Sequence, residues 1–155
     1  MGRPGPAIHT DLILVNNTGD SLALYDKVDW YGSANLPSVI QRRTPEKIKH
    51  QADSQTGCSK GGVVYTIRKN IRWLVAWSNM KDEDNKVYTE IIQNDFTINW
   101  SIYESLLDTS DSTADPVNKF KNSASAEIEP SSIAPVLKAA LKLAPYQFVL
   151  APKQK

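Results

Sequence analysis

Three consecutive stretches in the middle of the chain constrain its fold more than anything else in it. Val63, Tyr65 and Ile67 alternate with Val64, Thr66 and Arg68. Ile71, Trp73, Val75 and Trp77 alternate with Arg72, Leu74, Ala76 and Ser78, and Val87, Thr89 and Ile91 follow the polar link MKDEDNK. Successive side chains of a strand point to opposite faces, so a period of two in β-branched and aromatic residues predicts strands. Such β-branched and aromatic alternation predicts a strand that is partly buried on both sides. Lys69 and Asn70 mark a turn, the links are short, and the three stretches form an antiparallel meander.

The flanking segments are read against that sheet. Residues 12–15 are an apolar run that stops at Asn16, Asn17 and Gly19. Residues 21–25, with Leu22 and Leu24 on one face, are its return strand, which predicts a hairpin. Asp29, Trp30, Tyr31 and Gly32 form a connecting loop that leads past Pro37 to a short apolar segment, Val39 and Ile40. Residues 41–60 read as a polar surface connection with one edge strand around Ile48. Residues 97–107 carry Ile98, Ile102 and Leu106 on one helical stripe, with Asp95 or Thr97 as the cap. Residues 119–129 alternate Phe120, Ala124, Ala126 and Ile128 with polar neighbours, as a strand with one solvated face. Ser132 then caps a second predicted helix, in which Ile133, Val136, Leu137, Ala140 and Leu141 recur at three- and four-residue spacing. Pro135 falls in its first turn, Pro145 ends it, and residues 146–150 make a last strand.

The expected fold class is mainly β, a β-sandwich or twisted antiparallel sheet with one or two packed α-helices. At 155 residues, 41% of them hydrophobic, the chain is sized for one core. Residues 1–10 are expected to be a flexible arm, 11–150 a single domain and 151–155 a tail.

Composition excludes several function classes. The net charge of +1 gives no field to steer polyanions, so nucleic acid is not an expected partner. The lone Cys58 cannot form an intramolecular disulfide, and residues 1–10 lack the apolar centre of a signal peptide. Both point to a cytoplasmic or other intracellular location. No apolar run is long enough to cross a bilayer.

The chemistry-bearing residues are sparse. GCSKGG, residues 57–62, precedes a strand where a phosphate loop would follow one, so it reads as a flexible entry turn. Cys58 and His50 flank one loop and are the sole thiol–imidazole candidate for a thiol-dependent enzyme. No zinc spacing exists, Asp82 to Asp84 read as a solvated hairpin tip, and Asp108, Asp111 and Asp115 as an acidic loop. No catalytic residue, metal or cofactor is expected. Arg42, Arg43, Lys47 and Lys49 form a basic contact patch. Lys138 and Lys142 oppose the apolar stripe of the second predicted helix, a pattern shared by membrane-surface segments and by helices packed on a sheet. Trp73 and Trp77 share a face and belong to the core. Trp30 and Tyr31 point to opposite sides if extended, so with Asp29 and Gly32 they are the expected ligand-binding residues.

The blocks LILVNNTGDSL, DW-Y-G, GGVVY, WLVAWSN and VYTEI, in this order over residues 12–107, resemble the jasmonate-induced proteins of plants, the 23 kDa type. That resemblance implies a non-catalytic defence or stress-response protein and transfers no catalytic residue. The segment QRRTPEKIKHQADSQTGC is more basic than the pattern. NNTGDSL, the DW element and the glycines before the strand are also similar to aegerolysin-like β-sandwiches, some of which bind membrane lipids. The expected partners are therefore a membrane lipid headgroup or a glycan, held by loop aromatics. The alternative is a self-associating protein that exposes a sheet edge or the helix at Leu137 and Leu141 to a second copy.

Overall fold

The computed structural model describes residues 8–68, 70–93, 97–116, 122–131 and 133–143. They build two five-stranded sheets packed face to face. Along the chain come β1 (His9–Asn16), β2 (Leu22–Tyr31), β3 (Val39–Ile40), β4 (Thr44–Gln51), β5 (Ser59–Ile67), β6 (Ile71–Asn79) and β7 (Lys86–Gln93). Helix α1 (Trp100–Asp108), β8 (Thr113–Ala114), β9 (Ser123–Ile128) and β10 (Val136–Lys142) follow. Sheet A has the order β4-β1-β10-β9-β8 and sheet B the order β3-β2-β5-β6-β7. Every pairing is antiparallel except that of β1 with β10. The mainly-β sandwich expected from the alternation is the observed architecture.

The core forms between the sheets. Leu12, Leu14, Leu137, Leu141 and Ile128 of sheet A meet Leu22, Tyr65, Trp73, Val75 and Trp77 of sheet B. The β5–β6–β7 meander stands as read, and β6 is buried at every position because its outer face, Leu74 and Ala76, lies under α1. Tertiary cover on both sides is why no polar face shows in that stretch. The indole of Trp73 donates to the Thr89 hydroxyl at 2.9 Å, and that hydroxyl donates to the Leu74 carbonyl at 2.8 Å, so these two buried groups are served.

Five expectations are corrected. Residues 133–141 contain no helix: β10 is a central strand, with Leu137, Ala139 and Leu141 buried and Lys138 and Lys142 exposed. The segment carries both periods, and pairing on two sides with β1 and β9 overrides the helix propensity of Leu, Ala and Lys. With the helix goes the reading of its face as a membrane or self-association surface.

The run at 12–15 and its return do not form a hairpin, because β1 lies in sheet A and β2 in sheet B. The buried Asn16 amide sends the chain across, donating to the carbonyls of Asp20, Ile40 and Gln41 at 2.8, 3.2 and 3.1 Å. Its carbonyl oxygen accepts from the Thr18 hydroxyl at 2.6 Å.

Residues 44–51 make a full edge strand, with Ile48 and His50 turned inward, so His50 belongs to the core and not to the polar surface connection read over 41–60. Trp30 and Tyr31 close strand β2 and are not in a loop.

Helix α1 is present, but Asn99 caps it, its side chain accepting from the Ser101 amide at 3.1 Å. Asp95, Lys69, Phe120, Ser132, Pro145 and residues 1–7 and 146–155 lie outside the described residues.

Candidate functional site

The end of β2 carries the residues singled out for binding. At Gly32, φ is +102°, and a Cβ there would fall 2.2 Å from the Gln51 carbonyl oxygen. Glycine is required because Ser33 and Gln51 exchange backbone hydrogen bonds at 2.9 and 2.8 Å, bridging the two sheets. Asp29 reaches inward to His50, at 3.0 Å from Nε2. The other imidazole nitrogen, Nδ1, lies 2.7 Å from the Ser59 hydroxyl, which is 2.8 Å from the Thr10 hydroxyl.

A carboxylate only accepts, so Nε2 carries the proton toward Asp29, and Nδ1 accepts from Ser59, which accepts from Thr10. Burial lowers the His50 pKa and keeps the ring neutral; the hydrogen bond and charge of Asp29 oppose this, and Lys27 adds to it. Ser59, His50 and Asp29 are the residue types of a hydrolytic triad, yet Ser59 and His50 are 0% exposed. No substrate reaches that hydroxyl, and the chain of bonds ties β1 and β4 to β2 and β5. His50 makes no pair with Cys58, whose buried thiol faces the Thr56 carbonyl at 3.6 Å.

Glycines 61 and 62 lie within β5, not in an entry turn. A Cβ on Gly61 would sit 3.1 Å from His50 Nε2 on the inner side. One on Gly62 would sit 2.6 Å from the Trp100 ring on the outer side. These two positions let the imidazole and the indole press against opposite faces of one strand.

Over Gly62 the outer face of sheet B carries an aromatic layer. Trp30 meets Trp100 edge-on at 5.9 Å, Trp100 meets Tyr103 at 6.3 Å, and Tyr103 meets Tyr88 at 6.2 Å. The Trp100 indole donates to Asp26 at 3.1 Å, and the Tyr88 hydroxyl donates to Glu90. Lys60 stands over the Trp30 ring at 5.5 Å and pairs with both Glu104 and Asp108 at 2.9 Å. Burial alone would lower its pKa, but the hydrogen bonds it donates to Asp108 and Glu104, with their charges, outweigh it and hold the ammonium charged. On the opposite side of α1, Ile102 and Leu106 project outward, 55% and 39% exposed. The helix is thus apolar toward the sheet and again, one turn apart, toward solvent.

The basic patch is divided by the fold. Arg42 and Arg43 occupy the exposed turn before β4, Arg43 in a left-handed conformation, while Lys47 and Lys49 lie on the outer face of sheet A. There Lys47 borders a shallow groove of about 880 Å³ that touches all five strands. Asp108 is engaged by Lys60, and among the described residues no three His, Cys, Asp or Glu side chains gather to hold a metal.

Residues 3–143 match the family described as Nakanori-like protein. No curated protein matches the sequence. Among solved structures the chain is similar to the lipid binding protein Nakanori, with TM-score 0.77 and 16% identity, over 89% of this chain and 72% of that one. It is also similar to the Xerocomus chrysenteron lectin XCL, with TM-score 0.61 and 8% identity, over 88% of this chain and 99% of the lectin. At these identities the likeness is one of fold. The matched family is a different one from the plant jasmonate-induced proteins that the sequence blocks resemble.

Proposed function

The chain belongs to the Nakanori-like protein family, and from that premise we propose that it is a non-catalytic module that binds membrane lipid headgroups. The observation that carries this reading is the double-sided apolarity of α1. Ile102 and Leu106 face solvent on consecutive turns, and the half-buried Trp30, Trp100, Tyr103 and Tyr88 lie behind them. Rings with an apolar body and a polar edge suit the boundary between headgroups and acyl chains, and a short aliphatic ridge can enter it without disturbing the fold. A lipid-binding relative of the same fold agrees with this reading.

Within the expected site, Trp30, at one end of this aromatic rim, is the headgroup-facing residue in this reading, with the half-buried Tyr31 next to it in β2. Asp29 and Gly32 hold its geometry through His50 and Gln51. Their remaining accessibility is partial, so the aliphatic pair on α1 makes the first contact and the aromatics follow.

Vesicle co-sedimentation tests the reading. Replacing Ile102 and Leu106 together by Glu should reduce vesicle binding at least ten-fold with no change in melting temperature. Replacing Trp30 and Tyr31 by Ala should do the same at some expense in stability. Failure of the intact protein to sediment with vesicles of any zwitterionic, anionic or sterol-containing composition overturns it.

A further inference from the structure

The outer faces of the two sheets point away from each other, and the groove on sheet A belongs to neither the aromatic rim nor α1. Its floor is set by strand register. Across the sheet, Lys47, Ile13, Lys138, Glu127 and Thr113 stand in one row on successive strands. The next row on the same face is Pro45, Val15, Ala140 and Ser125. Both rows line the groove. The second is short-chained, and that hollows the surface between the longer side chains of the first.

The charges are sorted by side. Lys47 and Lys138 flank Ile13 toward the β4 side, and Glu127 and Asp115 stand on the β8–β9 side. All four are exposed, and none makes an ion pair among the described residues. Lys138 and Glu127 are directly opposed across β10 and β9, yet do not close on each other. The short apolar row thus runs beside two cations and two carboxylates whose polar atoms are free to meet a ligand that supplies both an anion and hydroxyl donors.

From this the geometry points to a saccharide-binding groove on the outer face of sheet A that prefers a sugar bearing a carboxylate or sulfate group. Sugar hydroxyls donate charge-assisted hydrogen bonds to Glu127 and Asp115, and the acidic substituent takes Lys47 and Lys138. The C–H face of a ring rests on Ile13, Val15 and Ala140. Four inter-strand steps of about 4.8 Å give the groove a reach of roughly 19 Å, which suits a short oligosaccharide and exceeds a single lipid headgroup.

Titration calorimetry with a galacturonic acid trimer, sialyllactose and a sulfated disaccharide, each beside its neutral counterpart, tests the assignment. At least one acidic saccharide should bind ten-fold or more tightly than its neutral partner. Lys47→Gln with Lys138→Gln should remove that preference and leave neutral binding intact. Glu127→Gln with Asp115→Asn should weaken both. Melting temperature and vesicle binding should stay unchanged in either double variant. No preference for any acidic saccharide, or a preference that survives the lysine substitutions, overturns it. Loss of vesicle binding in the lysine double variant does so too, by placing a lipid headgroup in the groove.

Discussion

The Asp29 carboxylate and the His50 imidazole lie 3.0 Å apart, one on each sheet, and through them the sandwich is sensitive to protons. The folded-state pKa of His50 is lowered, burial outweighing Asp29. A histidine protonated more readily when unfolded leaves stability complete above pH 6.5 and erodes it as pH falls below that value. The slope is at most about 1.4 kcal/mol per pH unit. The melting temperature of the native chain should therefore drop between pH 7 and pH 5 more steeply than that of His50→Asn. Equal slopes in the two proteins would refute the coupling.

Gly62 leaves room for the Trp100 ring, so Gly62→Ala should displace α1 from sheet B. A loss of about 1–3 kcal/mol is expected from overpacking, with a change in tryptophan fluorescence as the indole moves. Urea unfolding monitored by fluorescence reads both, and an unaltered midpoint would contradict the close approach.

Strand β10 buries Leu137 between the sheets and leaves Lys142 on the exposed face. Leu137→Ala should cost about 2–5 kcal/mol as a cavity between the sheets. Lys142→Ala, on the exposed face, should stay within about 0.5 kcal/mol. Chemical denaturation of both variants decides it, comparable losses at the two positions being the adverse result.

Asn16 serves three carbonyls with one amide at the crossing from sheet A to sheet B. Asn16→Asp exchanges a double donor for a carboxylate facing those carbonyls, and a loss of about 3 kcal/mol or more should follow. Asn17→Asp, at the exposed neighbour, is the control and should change little. A stable Asn16→Asp protein would show that other contacts direct the crossing.

The sandwich was legible where period two stands alone. The meander, Trp73 and Trp77 in the core and the inward face of Ala124, Ala126 and Ile128 all follow from alternation. It was not legible at 133–141, where Leu, Ala and Lys satisfy both periods and only pairing with β1 and β9 decides. That one ambiguity also hid the groove, because Lys138 shares a row with Lys47 only once β10 is a strand. The aromatic pair Trp30 and Tyr31 was visible as composition, but its cover by Trp100, 70 positions beyond Trp30, was not. Ser59 and Thr10 gave no signal at all, being ordinary hydroxyls that matter through what the fold sets beside them.

The pairing of β1 with β10 means that sheet A has no middle until residues 136–142 have been made. During synthesis the β5–β6–β7 meander can form from local contacts, whereas β1, paired on one side with β4, waits on its other side for β10, more than 100 residues downstream. Such distant closure slows folding and leaves an unpaired strand edge in the nascent chain. A ribosome-bound chain truncated before residue 136 is thus a different physical object from the folded protein: it holds every strand of sheet B but leaves β1 with an open edge where β10 would pair.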